Sequence, residues 1–230
     1  MDKHVVKDEV PPVEKVETVW LDADEISSRI GFQCVKRIID IVLSAVGLVC
    51  LIPVFIVVAI LMKKEEPKGP IFFKQTRVGR NGKEFTMYKF RSMCVDAEEK
   101  LAELLAENEI KGAMFKMKDD PRVTKIGKAI RRNSIDELPQ LLNVLKGDMS
   151  LIGPRPPLPR EVKEYSRYDL QRLLVKPGCS GPWQISGRNE VNFAEMVELD
   201  IQYIREQSLM NDIKIIWKTV RIMIIPNGAY

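Results

Sequence analysis

Imidazole is almost missing from this 230-residue chain, whose single histidine is His4. A Ser-His-Asp triad, a histidine general base and a His-rich zinc site are therefore not expected, since each needs an imidazole held in a folded pocket. Cysteine is scarce too, with four residues at 34, 50, 94 and 179. None forms a Cys-x-x-Cys pair, and the set reads as reduced thiols rather than a disulfide framework. No Walker loop and no Gly-x-Gly-x-x-Gly fingerprint occurs, which removes the common nucleotide cradles. Aromatic residues make up only 7% and do not gather into a stacking platform, so nucleic acid is not expected as a partner. Chemistry is left to carboxylates, cations and hydroxyls.

What the chain does contain is unevenly spread. The formal net charge is +4, yet residues 1–35 carry four Lys/Arg against eight Asp/Glu, so the remainder is distinctly basic. A basic body favours an anionic partner such as a nucleotide or a phospholipid. Residues 1–33, with Pro11-Pro12, alternating charges and no signal-peptide pattern, read as an acidic and flexible tail. From Ile41 to Met62 run 22 residues without a charge. As a helix they would span roughly 33 Å at about 1.5 Å per residue, against a hydrocarbon core about 30 Å thick. Length alone favours a transmembrane span. Pro53 in the middle predicts a kink, and both flanks are basic, Lys36 and Arg37 before and Lys63, Lys64 and Lys68 after. A bent helix that enters and leaves by one face satisfies both flanks. A buried core helix is a third reading.

Beyond this segment the expected elements are short. Arg80-Asn81-Gly82 between apolar runs predicts a hairpin within 71–93. Ala97, Leu101, Leu104 and Leu105 share a face of an amphipathic helix over 96–110. Further helices are expected at about 123–132, at 136–146 ended by Gly147, at 193–207 with Asn192 and Glu195 as a capping pattern, and at 212–225. Gly153 to Pro159 should be extended, and 177–188 reads as loop or short strand. Trp217 with Lys214, Lys218 and Arg221 suits either an interfacial helix or one packed on the core.

The densest group of reactive side chains is Arg131-Arg132-Asn133-Ser134-Ile135-Asp136-Glu137-Leu138-Pro139-Gln140. Pro139 is tolerated only in a first turn, so Asp136 and Glu137 should stand where a helix begins. Unpaired amides there favour the ionised carboxylate, a competent nucleophile or metal ligand. The plain alternative is that acids are common in first turns, with Ser134-x-x-Glu137 a capping box. Arg155 stands between Pro154 and Pro156, in a rigid loop that would either hold a guanidinium fork for phosphate oxygens or cap a turn. Arg188 occupies a similar glycine-bearing turn. Lys74, Arg77 and Arg80 on the hairpin read equally as solvated surface charge.

Several motifs carry a more specific signal: Lys36-Arg37-Ile38-Ile39-Asp40, Phe73-Lys74-Gln75-Thr76-Arg77-Val78-Gly79, Lys89-Phe90-Arg91-Ser92-Met93, Asp120-Pro121-Arg122-Val123-Thr124, Asp136-Glu137-Leu138-Pro139-Gln140, Gly147-Asp148-Met149-Ser150-Leu151-Ile152-Gly153-Pro154-Arg155-Pro156 and Lys176-Pro177-Gly178. Through them residues 34–230 resemble the bacterial sugar transferases, the monotopic phosphoglycosyl transferases, in the short form without four added transmembrane helices. The resemblance implies an α+β, mainly helical monotopic membrane protein with interfacial amphipathic helices and a small β-hairpin. It replaces the full span by a re-entrant helix over 34–66, broken at Pro53, followed by a catalytic domain over 67–230 facing the cytoplasm at the bacterial inner membrane. One departure stands out: the family often shows Ser-Pro at the break, and here the pair is Ile52-Pro53.

The implied activity is transfer of a hexose 1-phosphate from a UDP-sugar to polyprenyl (undecaprenyl) phosphate, releasing UMP, as the first membrane step of glycan or exopolysaccharide synthesis. By resemblance, Asp136 attacks the sugar-bearing phosphorus to form a phosphosugar-aspartyl intermediate, and Glu137 assists as base or by positioning the metal. Mg²⁺ is the implied cofactor, with Asp136 as a ligand. Arg155, and with it Arg131, Arg188 and Asp212, are carried over as contacts to substrate phosphate. The ending Asn227-Gly228-Ala229-Tyr230 looks like the terminus common among members that transfer glucose or galactose 1-phosphate. A homo-oligomer is left open. The rival from another class is a non-catalytic basic membrane-surface scaffold, which has no need of paired acids among prolines and arginines.

Overall fold

A computed structural model describes residues 19–97, 99, 100, 120–186 and 192–224. Asp22 opens the first helix, α1 (Ala23–Ser28), its carboxylate accepting from the amides of Asp24 and Glu25. Ile26 of α1 is buried, Trp20 meets Tyr168 edge-on with centroids 5.6 Å apart, and the Leu21 amide donates to Gln171 Oε1 at 2.6 Å. Residues 19–33 were expected in a flexible tail; instead they pack on the body, because Trp20, Leu21 and Ile26 supply apolar contacts that the average acidity conceals. Residues 1–18, including His4, lie outside the described residues.

The apolar segment forms two helices, α2 (Ile30–Cys50) and α3 (Ile52–Glu65), bent by 55° at Leu51. Pro53 sits in the first turn of α3, where a missing N–H breaks no ladder bond. The Leu51 amide still donates to the Gly47 carbonyl and the Phe55 amide to the Leu51 carbonyl, both at 2.9 Å, so the bend forms with Ile52 in the place of serine. Among the described residues no single helix is long and apolar enough to cross a membrane, and only the bent pair together passes that test. A straight span is thus not what forms. Neither is a buried core helix, since Ile38, Val42, Val49, Ile56 and Ile60 are all exposed. The buried residues of α2 are polar, Asp40 and Ser44, and Asp40 Oδ1 accepts from the Leu151 amide at 3.0 Å, whereas those of α3 are Val58 and Met62.

The hairpin forms as expected, β1 (Phe72–Val78) antiparallel to β2 (Glu84–Phe90) with Phe72 opposite Phe90 and Val78 opposite Glu84. Asn81 and Gly82 take φ of 58° and 77° at its turn, the left-handed pair that Asn-Gly accommodates. The helix expected at 96–110 falls largely outside the described residues. Thr124 caps α4 (Lys125–Arg132), its hydroxyl accepting from the Gly127 amide at 2.9 Å. Gly127 is required there, since a Cβ would stand 1.9 Å from the Ser92 carbonyl oxygen.

The single helix expected at 136–146 is divided into a 3-10 turn, Ile135–Gln140, and α5 (Leu141–Lys146). The expected capping box is absent: Ser134 is left-handed at φ 55° and its side chain makes no cap bond. The Glu137 amide donates to the Ser134 carbonyl instead, at 3.2 Å. Gly147 at φ 90° ends α5 as anticipated. A parallel pair not foreseen from sequence joins β3 (Ser150–Ile152) to β4 (Gly178–Ser180). Pro159, placed in the extended stretch, instead begins the short α6 (Pro159–Val162), a position that its fixed φ suits. A 3-10 segment, Asp169–Leu174, and the short α7 (Pro182–Ile185) follow. Helix α8 (Phe193–Arg205) carries the expected Asn192/Glu195 capping box. Helix α9 (Leu209–Ile224) begins before the expected start at 212. Apolar residues gather where α3 meets β2 and α4 (Val58, Met62, Phe90, Ile130) and where α8 and α9 meet β3 (Ile152, Tyr203, Ile204, Ile215).

Candidate active site

The turn Ile135–Gln140 lies along β2, and that contact sets the paired acids against cations of the hairpin. Asp136 is buried, and Glu137 pairs with Lys89 of β2, Nζ to Oε1 at 2.8 Å. The arrangement is held by Asn143 of α5, which is fully buried. Its Nδ2 donates to the Thr86 carbonyl at 2.6 Å and its Oδ1 accepts from the Tyr88 amide at 3.0 Å. Each side-chain amide group left unpaired there would cost about 1–3 kcal/mol, so the register of α5 on β2 is tightly specified.

Arg77 of β1 is buried rather than solvated. Its Nε and Nη2 donate to Gln75 Oε1 at 3.0 and 2.6 Å, and Nη1 to the Pro156 carbonyl at 2.8 Å. Burial and then the charge of Arg155 draw its pKa down to about 9, while Glu161 and Glu137 act the other way. These hydrogen-bond partners are neutral, so the guanidinium is short of negative charge. Such a site favours an anion brought in from outside.

Arg155 reaches the same neighbourhood from another loop. Gly153 and Gly178 allow the loops after β3 and before β4 to touch, since a Cβ on Gly178 would lie 2.1 Å from the Gly153 nitrogen. The Arg155 fork lies on Glu161, Nη1 to Oε2 at 3.1 Å and Nη2 to Oε1 at 3.4 Å. Its guanidinium carbon stands 5.8 Å from the centroid of the Trp183 ring. The Arg155 carbonyl accepts from Arg172 Nη2 at 3.2 Å. Arg172 in turn is held by Asp200, Nε to Oδ2 at 2.8 Å, and by the Tyr165 hydroxyl at 2.7 Å. Burial would raise the Glu161 pKa, but the charge and hydrogen bonds of Arg155 with the Leu158 amide hold it below the usual carboxylate range. Prolines alone were expected to hold the fork; a carboxylate six residues on shares that task.

The remaining expected residues are dispersed. Arg131 lies in the last turn of α4, just before the acidic turn, and its Nε donates to Ser92 Oγ at 2.8 Å. Asp212 takes no part in the group around Arg77: it pairs with Lys36 of α2 and accepts from the Tyr203 hydroxyl at 2.7 Å, tying α9 to α2. Arg188 lies outside the described residues. Pro53 lies in the first turn of α3, just after the bend at Leu51. Burial, and then the charges of Glu137 and Asp40, push the Cys179 thiol far above its usual range.

The sequence reading named Arg77 with surface charge as an equal alternative, and it gave no role to Lys89, Glu161 or Trp183. A signal existed for the first two. Phe73, Gln75 and Arg77 alternate onto the less exposed face of β1, as Phe85, Met87 and Lys89 do on β2, and strand periodicity places every second residue together. Glu161 and Trp183 had none, because tertiary contact alone brings them to Arg155.

Residues 32–226 match the family described as bacterial sugar transferase. The chain is similar to galactosyl transferase CpsE of Streptococcus agalactiae serotype III (strain NEM316), with 52% identity over 197 residues, 84% of this chain and 43% of that protein. It is similar to undecaprenyl-phosphate galactose phosphotransferase of Salmonella typhimurium (strain LT2), with 45% identity over 199 residues, 85% of this chain and 41% of that protein. It is also similar to the exopolysaccharide production protein ExoY of Rhizobium meliloti (strain 1021), with 39% identity over 199 residues, 85% of this chain and 88% of that protein. The chain thus spans less than half the length of the first two.

Proposed function

The chain belongs to the bacterial sugar transferase family, and from that premise we propose that it transfers a hexose 1-phosphate, galactose or glucose, from a UDP-sugar to undecaprenyl phosphate and releases UMP. The observation that carries the reading is that Glu137, next to the buried Asp136, pairs with Lys89, and that the charges of Glu137 and Arg155 both act on the buried Arg77. A carboxylate oxygen of Asp136 attacks the sugar-bearing phosphorus. The bond from that phosphorus to the bridging oxygen breaks, and UMP leaves with the oxygen and its electron pair. A phosphate oxygen of the polyprenyl acceptor then displaces Asp136 from the phosphosugar and restores the carboxylate. Arg77 and Arg155 bind and orient the phosphates, their charge offsetting the negative charge that builds on the equatorial oxygens. Lys89 orients Glu137 beside the nucleophile.

Mg²⁺ fits the donor set. Among the described residues no group of three or more His, Cys, Asp or Glu side chains gathers to form an all-protein cage. Mg²⁺ commonly takes one or two carboxylates and fills its shell with water and substrate phosphate, and Asp136 with Glu137 beside it would hold it. When bound, the ion neutralises diphosphate charge.

The bent pair α2 and α3 supports a re-entrant reading, in which the helices dip into the inner membrane and leave by the cytoplasmic face with Lys36, Arg37, Lys63 and Lys64 at headgroup level. Exposed Trp217 beside Arg221 on α9 supports an interfacial position for that helix.

The test is incubation of the purified full chain with Mg²⁺, undecaprenyl phosphate and a panel of UDP-sugars, with UMP as readout. UMP from UDP-galactose or UDP-glucose is expected, with a hexose-phosphate adduct on Asp136 by mass spectrometry when acceptor is withheld. UMP at background for every donor, with folded protein, would favour the scaffold. The membrane reading is tested by impermeant labelling in intact cells of single cysteines, Cys34 or one placed just after Lys64. Labelling of one site alone would overturn re-entry.

A further inference from the structure

A cavity of about 330 Å³ opens between α2 and α9, on residues that the mechanism above does not use. Ile39, Val42 and Leu43 of α2, Ile213 and Ile216 of α9, and Ile152 of β3 form its apolar lining. Its polar lining groups are Lys36, Asp40 and Asp212. Lys36 lies two turns before Leu43, roughly 10 Å along the helix at about 1.5 Å per residue, and Asp212 lies one turn before Ile216. The charged part of the lining is thus gathered where Lys36 meets Asp212, with Asp40 one turn further along α2, and the rest of the lining is apolar.

The polar groups have their own partners. Lys36 pairs with Asp212, Asp212 accepts from the Tyr203 hydroxyl, and Asp40 accepts from the Leu151 amide. With those charges compensated, the cavity suits an apolar chain better than a polar ligand. Its rim is apolar as well, with Val42 52% and Ile213 55% exposed, so a chain can pass from bilayer to cavity without crossing a polar barrier.

Position decides between a passing phospholipid and the reacting lipid. The strand that supplies Ile152 runs straight into Gly153-Pro154-Arg155. Three residues reach at most about 10 Å, so a lipid lying on Ile152 has its headgroup within reach of Arg155. We infer that the cleft between α2 and α9 seats the first isoprene units of the polyprenyl phosphate acceptor, an inference that rests on the transferase reading above.

The experiment uses the full chain in phosphatidylcholine nanodiscs with a polyprenyl phosphate carrying a photoreactive diazirine near its head. Cross-links are expected at Val42, Leu43 or Ile213, competed by undecaprenyl phosphate and not by a tenfold excess of phosphatidylglycerol. Val42→Trp and Ile213→Trp, both at exposed positions, narrow the cleft. They should raise the KM for undecaprenyl phosphate about tenfold and leave the KM for the UDP-sugar unchanged. Competition by phosphatidylglycerol equal to that by undecaprenyl phosphate, cross-links confined to other surfaces, or an acceptor KM indifferent to both tryptophans would each overturn the assignment. Cross-links in the cleft with the stated competition, from a protein that releases no UMP, would keep the lipid seat and sink the transferase reading instead.

Discussion

The bent helix pair and the body that carries Asp136 distribute polarity in opposite senses. In α2 and α3, Ile38, Val49, Ile52 and Ile56 are more than half exposed while Asp40 and Ser44 are buried. In the body, Arg172, Asp200, Glu161 and Arg77 are buried among Met87, Met149, Ile201 and Ile204. Much of the pair's apolar surface thus faces outward; α2 docks through polar groups, while α3 docks through Val58 and Met62. Arg37 donates to the Val144 and Leu145 carbonyls at the end of α5, and Asp40 receives the Leu151 amide. The body uses its interior charges to aim arginines.

Separating these two regions is the sharpest test of the comparison. Asp136→Asn should lower UMP release on the order of 10⁴-fold or more while the protein still sediments with membranes. Retained turnover would remove Asp136 as nucleophile, and loss of sedimentation would show that the regions do not act independently. Asp200→Ala strands the buried Arg172 charge and should cost roughly 3–5 kcal/mol in denaturant unfolding. A loss below about 1 kcal/mol, the size of a surface pair, would deny the interior network its structural weight.

Arg77→Gln discriminates function from folding. It should cut kcat/KM for the UDP-sugar by about 10²-fold with stability unchanged or improved, because this guanidinium is short of negative charge in the free protein. Destabilisation with unchanged kcat/KM would make Arg77 structural. Glu161 predicts a pH dependence. Its folded pKa lies below its unfolded value, so its contribution is fully present above the ordinary carboxylate range and is lost as pH falls through the depressed value. Glu161→Gln should lower stability at neutral pH and shrink the acid-side loss, and an unaltered acid limb in a pH series of unfolding curves would contradict that. The smallest effect is expected at an exposed position of the body, where Asn192→Ala removes one helix cap at about 1 kcal/mol without altering UMP release.

What could be read in advance followed the range of the interactions. The Asn81-Gly82 turn, the Asn192/Glu195 cap and the stop at Gly147 depend on neighbours within a few residues, and each formed where expected. The 136–146 helix was misread because Ser134 adopts a left-handed conformation and the acids ride a 3-10 turn against β2. The N-terminal region was misread because average acidity hid the few apolar residues that pack. Within the candidate site, Asp136, Glu137 and Arg155 were identifiable from local motifs. Arg77 was identifiable as a hairpin cation, with surface charge an equal reading that its burial in the fold removes.

The sequence by itself determined which reactive side chains stand together and where the apolar run is interrupted: no histidine follows His4, Asp136 and Glu137 are adjacent, Arg155 stands between prolines, and Pro53 interrupts an uncharged run. These are properties of residue type and spacing, which need no partner. Only the tertiary structure decided which cation stands by which acid. Lys89 of the hairpin pairs with Glu137, Arg155 of the loop after β3 with Glu161 and Asp212 with Lys36, while Arg77 is buried against Gln75 and Pro156. Charge acts through distance in space, and those distances are set when glycine-permitted loop contacts and the buried Asn143 bring segments far apart in sequence together.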